Sequence, residues 1–193
     1  VDNEIMEKLV AKKIKCKDTI WLLSNIIQSM QGLPIGNYLS QYLGNLYLSY
    51  LDHYVKEVIK VRHYFRYCDD IVILDTDKDK VESAIQGIVD KLKELNLCVK
   101  ADIKVRPLSE GLDFLGFVFH GRYILLRKRI AKSFKKSVKE FRLQPTKAGI
   151  SSIISYNGWV VASDSYNLWN KYINPKLREL ATYLGYTNKV LWR

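Results

Sequence analysis

Two adjacent carboxylates, Asp69 and Asp70, follow Tyr67 and Cys68 between the short runs His63 to Arg66 and Ile71 to Leu74. Like charges side by side repel, and beyond Arg66 the run offers no obvious basic neighbour, so the pair is costly unless a cation neutralises it. A divalent metal is the natural candidate. The flanks are rich in tyrosine, phenylalanine, isoleucine and valine, which suit strands, and Asp tolerates the left-handed backbone of a tight two-residue turn. Both carboxylates are therefore expected at a hairpin tip. Ile71-Val72-Ile73-Leu74 is an unbroken apolar run, read as a strand covered on both faces, so the tip projects from the core of a domain. Carboxylates on rigid strands are what Mg²⁺, a hard ion that keeps some of its waters, uses in phosphoryl transfer. Taken alone, Asp-Asp is also an ordinary solvated turn, and the surrounding elements must decide.

Those elements can be read from periodicity. Asn3 to Lys13 and Asp18 to Met30 carry apolar residues at helical spacing, with Asp2 or Asn3 as the first cap. Gly32-Leu33-Pro34-Ile35-Gly36 then breaks the pattern as a shaped loop with exposed backbone N–H groups. Asn37 to about Ile59 predicts a long, largely buried helix, the carboxylate hairpin follows, and Asp77 or Asp79 caps a helix through Leu95. Asp75-x-Asp77-x-Asp79 mimics the start of a calcium loop, but Lys80 stands where glycine is required and Gln86 where glutamate is, so calcium is rejected. Leu97 to Val105 reads as a strand, and Leu112 to Phe119 with Tyr123 to Leu126 as a hairpin turning at His120-Gly121. Beyond Arg127 the pattern is purely helical: Ile130 to Leu143, Lys147 to about Val161, and Tyr166 to Tyr183. The expected fold is α+β over residues 1–126, an antiparallel sheet packed on helices, followed by a basic all-helical region over 127–193.

With 193 residues, 48% of them hydrophobic, the chain can bury a real core. Cys16, Cys68 and Cys98 have neither CxxC spacing nor paired histidines, which argues against a zinc site or disulfide framework and fits a reducing, cytoplasmic compartment. No apolar run approaches a membrane span, and Val1-Asp2-Asn3-Glu4 does not read as a signal peptide. The net charge of +11 is concentrated between Arg122 and Lys147, where ten basic residues face one acidic residue, Glu140. Beside Tyr123, Phe134 and Phe141, that density is the electrostatic footprint of a phosphate-backbone partner.

Together, the glycine-proline loop leading a long helix, the carboxylate hairpin, the next helix and a second hairpin carrying Phe-Leu-Gly resemble the palm of a reverse transcriptase. Tyr67-Cys68-Asp69-Asp70 matches the family's Tyr-x-Asp-Asp signature, Gly32 to Gln41 its preceding loop-and-helix motif, and Gly111 to Gly116 its primer grip. Gly32-Leu33-Pro34-Ile35-Gly36-Asn37 followed by Ser40-Gln41 is most similar to enzymes of bacterial diversity-generating retroelements, where Ser-Gln replaces the Ser-Pro of group II intron enzymes. Ser155 to Trp159 and Ser165 to Leu168 look like the thumb of such enzymes. The resemblance implies attack of a primer 3′-hydroxyl on the α-phosphate of a deoxynucleoside triphosphate on an RNA template, with two Mg²⁺ (or Mn²⁺) ions. It also implies Asp69 as metal ligand supported by Asp70, and Gly32, Leu33, Pro34, Ile35, Gly36, Ser40, Gln41 and Tyr67 around nucleotide and template. Lys100 resembles a lysine near the departing phosphates, and Phe114, Leu115 and Gly116 a grip on the primer end. Arg127, Lys128, Arg129, Lys132, Lys135, Lys136, Lys139 and Arg142 would follow the nucleic-acid backbone.

The family needs one more aspartate on a strand ahead of the first helix, and a residue screening the sugar 2′ position; neither is present, and Asp2, at a cap position, is a poor substitute. The expectation is a palm-and-thumb fragment without fingers and without activity of its own. Two alternatives stand beside it: a maturase-like RNA-binding module on a polymerase scaffold, and an antiphage polymerase that adds nucleotides without a template. The template, primer and any accessory protein are not legible in the residues.

Overall fold

Side-chain caps set the helix starts. Asp2 accepts from the Ile5 N–H at 3.0 Å and opens α1 (Asn3–Lys13), which is followed by α2 (Lys17–Gln28). Asn37 accepts from the Leu39 N–H at 2.9 Å and opens α3 (Tyr38–His53), which runs on into a π turn over Tyr54–Val58. Asp77 accepts from the Asp79 and Lys80 N–H groups and opens α4 (Lys78–Glu94), while Asp75 accepts from the Asp77 N–H. Asp75 and Asp77 thus serve as turn and cap, the ordinary use of such side chains at a helix entrance.

The structure is a computed structural model describing residues 1–33, 36–99, 103–173, 175–183 and 185. The chain divides into two compact units, Val1–Val105 and Arg106–Arg193. In the first, one core gathers Met6, Leu9 and Val10 of α1, Ile27 of α2, Leu43, Tyr47 and Leu51 of α3, and Ile88 and Leu92 of α4. Tyr47 is fully buried and donates its hydroxyl to the Leu95 carbonyl at 2.5 Å, tying α3 to the end of α4.

On this core lies the antiparallel pair β1 (His63–Tyr67) and β2 (Asp70–Leu74), in register from His63 opposite Leu74 to Tyr67 opposite Asp70. Side chains alternate across a strand, so Tyr64, Ile71 and Ile73 face the core. Phe65 and Tyr67 face away and are 50% and 58% exposed. The expectation that β2 is covered on both faces is met in the core on one face only: Ile71 and Ile73 pack on it, while Val72 and Leu74 on the other face are half-buried and lie outside it. The strand expected over Leu97–Val105 is also absent among its described residues. Instead Asn96 enters the left-handed region at φ 48° and the Leu97 N–H returns to the Leu92 carbonyl at 2.8 Å, a helix-terminating turn that uses the donor a ladder would need.

The second unit opens with a 3₁₀ turn, Leu108–Glu110, and the antiparallel sheet β3 (Leu112–Phe114), β4 (Phe117–Phe119) and β5 (Ile124–Leu126). Leu112 to Phe119 is therefore not one strand. Phe114 pairs with Phe117 across a two-residue turn in which Leu115 and Gly116 both take positive φ, 50° and 86°. Both central residues left-handed is the geometry whose twist matches the strands. Among the described residues five helices follow: α5 (Lys128–Leu143), α6 (Lys147–Ser155), α7 (Asn157–Val161), α8 (Tyr166–Tyr172) and α9 (Pro175–Tyr183). The two long helices expected after α5 are each broken, at Tyr156 and after Tyr172. Their core includes an aromatic stack, Phe134 on Trp169 at 5.6 Å between ring centres. Leu126 joins that core and Phe117 meets Trp159 at 5.2 Å, so the sheet packs with these helices and the compact division falls ahead of Leu126. The architecture is mixed α+β, as the sequence pattern implies. Among the described residues no helix is long and apolar enough to cross a membrane.

Candidate active site

Because Tyr67 pairs with Asp70, the turn residues are Cys68 and Asp69, and Asp70 is the first residue of β2. Cys68, not an aspartate, takes the left-handed conformation, at φ 52°. The expectation of two carboxylates at the tip is thus corrected by one position. Asp69 stands on the turn, and Asp70 shares the open face with Tyr67 and Phe65. Cys68, Asp69 and Asp70 are all exposed.

Arg66, on the packed face, does not neutralise the pair. Its Nε and Nη2 donate to Asp52 Oδ1 and Oδ2 at 2.7 and 2.6 Å, a fork on the last turn of α3. Its Nη1 donates to the Cys68 carbonyl at 2.9 Å and to Asn45 Oδ1 at 3.2 Å. Tyr64 donates its hydroxyl to Asp52 Oδ1 at 2.7 Å. Burial pushes the Asp52 carboxyl up, but the bonds from Arg66 and Tyr64 outweigh it and hold the group below its ordinary range. Burial and the bond to Asp52 push the Tyr64 hydroxyl up, and the Asp52 carboxylate strengthens the charge on Arg66.

Among the described residues neither Asp69 nor Asp70 forms an ion pair, so the two negative charges at the turn lack a protein counterion. The donor type suits a hard cation, and Mg²⁺ is commonly held by one or two carboxylates with water completing its shell. No group of three or more His, Cys, Asp or Glu side chains placed to hold a metal occurs among the described residues.

The loop of Gly32 to Gly36 is anchored from behind. Asn3 donates to the Ile27 and Met30 carbonyls, each at 2.9 Å, and accepts from the Gly32 N–H at 3.1 Å, clamping the loop's start to the end of α2. Gly32 and Gly36 have φ of 86° and 89°, and Leu33 packs where Gly44 of α3 lacks a side chain. Ser40 and Gln41 lie in the first turn of α3. Gln41 is four residues before Asn45, hence on the same helical face as the partner of Arg66. Pro34, Ile35 and Lys100 lie outside the described residues.

Phe114, Leu115 and Gly116 belong to the second unit. Phe114 is half-buried, Leu115 exposed and Gly116 buried. A Cβ on Gly116 would stand 2.5 Å from Trp159 Cζ3 and 2.8 Å from Ile130 Cδ1, so the turn is wedged against α7 and α5. Arg127 forms an ion pair with Asp113 at 2.5 Å, and its backbone N–H donates to the Gly116 carbonyl at 2.9 Å. Along α5, Phe134, Val138 and Phe141 are buried, while Lys128, Arg129, Lys132, Lys135, Lys136, Lys139 and Arg142 are exposed on the other side. Some are engaged: Arg142 donates to the Tyr172 carbonyl at 2.9 Å, Lys135 lies over the Tyr172 ring, and Lys136 is 3.7 Å from Glu140.

Sequence reasoning missed Asp52, Asn45 and the inward role of Arg66. A signal was present. Arg66 alternates with Tyr64 on the core side of β1, where a charge needs a partner, and Asp52 is the single acidic residue of α3. Nothing local pairs the two.

A protein-family model described as reverse transcriptase (RNA-dependent DNA polymerase) matches residues 4–119, more than half of the 193-residue chain. That span holds the loop of Gly32 to Gly36, the Cys68-Asp69 turn and the Leu115-Gly116 turn. No curated protein matches the sequence.

Proposed function

The chain belongs to the reverse transcriptase family, and from that premise we propose that Asp69 and Asp70 are the metal-holding carboxylates of RNA-templated DNA synthesis. The observation that carries this is the arrangement at the turn: Asp69 stands exposed with Asp70 beside it, while the neighbouring arginine is bound to Asp52. Among the described residues no protein cation pairs with either carboxylate, which leaves both available to an external one. Bound there, Mg²⁺ supplies activation of the primer 3′-hydroxyl and stabilisation of the charge that develops as pyrophosphate leaves the α-phosphate.

The chain's own residues supply placement. The Gly32 to Gly36 loop, with Ser40 and Gln41, is assigned to the incoming deoxynucleotide and the templating base, Tyr67 lies on the open face beside Asp70, and Lys100 is assigned to the departing phosphates. Phe114, Leu115 and Gly116 hold the primer end. The exposed lysines and arginines of α5, with Arg127, follow the template–primer backbone, which makes binding salt-dependent. In this reading the functional division is palm to Leu126 and thumb from Arg127. The loop sequence and Ser40-Gln41 favour a retroelement enzyme of the diversity-generating kind.

The test is Mg²⁺-dependent extension of a DNA primer on an RNA template by the full-length protein. Asp69→Asn should lower the rate by about 1,000-fold or more, the scale of metal-borne stabilisation, and leave RNA affinity intact. Asp69→Asn without effect on the protein's function favours an RNA-binding scaffold instead. Product formed without a template favours untemplated addition.

A further inference from the structure

The polar cluster behind the turn carries an inference about how the carboxylate is aimed. We infer that Arg66, fixed by Asp52 and Asn45 of α3, is a positioning residue that holds the Cys68 carbonyl and thereby sets the direction of the Asp69 side chain. The inference rests on the reading of Asp69 as metal ligand.

A peptide unit is planar, so fixing the Cys68 oxygen fixes the plane that leads into Asp69, and with it the Asp69 N–Cα bond. Arg66 Nη1 does this at 2.9 Å. The hold matters because Cys68 sits at φ 52°, a conformation that a non-glycine residue leaves unless its surroundings impose it. The arginine is itself immobilised. Its fork spans both Asp52 oxygens at 2.6 and 2.7 Å, Asn45 accepts at 3.2 Å, and its side chain is 11% exposed. A planar guanidinium presents all four of these bonds at once, whereas a lysine ammonium is a single point with three donors. Both anchors lie on α3, the helix that begins with Ser40 and Gln41 in its first turn. One rigid rod therefore carries the loop's exit and the brace of the carboxylate turn, so the two keep a common register.

Arg66→Lys keeps the charge and removes the fork. In primer extension it should lower kcat by about 10- to 100-fold, the cost of a misplacement of about 1 Å in a reacting group. KM for the deoxynucleotide should stay within about threefold, because ground-state binding is not what is lost. Amide exchange at residues 68–71 should quicken about tenfold while α1 and α2 keep their protection, the signature of a local opening. Asp52→Asn, in which Arg66 loses its charged partner, should move both readouts the same way and serves if Arg66→Lys does not fold. Asp69→Asn separates the two roles, abolishing extension without loosening the turn. The inference is overturned if the folded variant keeps kcat within about twofold of the parent, or if kcat falls while exchange at the turn is unchanged. A parent protein that extends no primer overturns the polymerase reading alone, and the exchange measurements then decide whether Arg66 holds the turn.

Discussion

The Cys68-Asp69 and Leu115-Gly116 turns solve the same backbone problem by opposite means. Each reverses a hairpin in two residues and each drives a non-glycine side chain to positive φ, Cys68 at 52° and Leu115 at 50°. Such a residue costs about 1 to 2 kcal/mol, which the surroundings must offset. At Cys68 the offset is polar: Arg66 bonds the turn carbonyl and is anchored on Asp52 and Asn45. At Leu115 it is steric, since Gly116 lets Trp159 and Ile130 close over the turn from behind. Directional bonds aim a side chain while leaving it in water; close packing immobilises a backbone and shields it. Under the proposed function, a carboxylate that takes up a hydrated ion would need the first, and a platform for a primer end the second.

The largest expected effect falls on the wedged turn. Gly116→Ala places a Cβ 2.5 Å from Trp159 at a residue whose φ is 86°, so overpacking and backbone strain add. The second unit should lose about 3 kcal/mol. Urea titration with amide exchange read at α5 measures this, and helices α1 and α3 should keep their protection at concentrations that open α5. A loss under about 1 kcal/mol would mean that Trp159 yields and that packing is not what holds this turn.

An intermediate effect is expected at the braced turn. Arg66→Met removes three partners and leaves Asp52 partly buried with the Tyr64 hydroxyl alone, a loss of about 2 kcal/mol confined to the first unit. The same pair makes the unit acid-sensitive. Asp52 is held below its ordinary value of 3.8, so its contribution is complete above that pH and is lost as pH falls through the lower folded value. Asp2, Asp75 and Asp90 are also held low by hydrogen bonds and move stability in the same direction. The difference between parent and Arg66→Met therefore isolates Asp52. That difference should shrink on acidification below 3.8; a constant difference would break the link between the brace and the ion pair.

How far these turns were legible follows from which contacts are local. Alternation of aromatic and apolar residues revealed the first hairpin, and the helix periods and caps revealed α1, α3 and α4 nearly to their ends. The tip lies one residue from its expected place because Cys68 rather than an aspartate takes the left-handed position, and no local pattern encodes the pairing of Arg66 with Asp52 behind it. In the second hairpin, Leu112 to Phe119 reads as one apolar strand because its turn contains Leu115, a residue disfavoured there; only Gly116 marks the reversal, and the packing that selects it comes from Trp159. Leu97 to Val105 had strand composition, but composition does not supply a neighbour to pair with, and the helix end took the Leu97 donor. Pro175 suits the first position of α9, yet the helical period carries on past it, which is why Tyr166 to Tyr183 reads as one helix.

The smallest effect tests whether an arginine near a turn is enough to brace it. Arg127 resembles Arg66 on paper, an arginine flanking a hairpin and paired with an aspartate, here Asp113. Yet its side chain is 42% exposed and that of Asp113 43%, against 11% and 30% for Arg66 and Asp52. An exposed pair gains little in water, and the contact between residue 127 and the turn is its backbone N–H on the Gly116 carbonyl, which any non-proline residue retains. Arg127→Gln should therefore cost about 0.5 kcal/mol or less, and less still as salt is raised. Its exchange pattern at residues 114–117 should match that of the parent. A cost equal to that of Arg66→Met would show that both turns are braced by charge, and the distinction between an aimed turn and a wedged one would collapse.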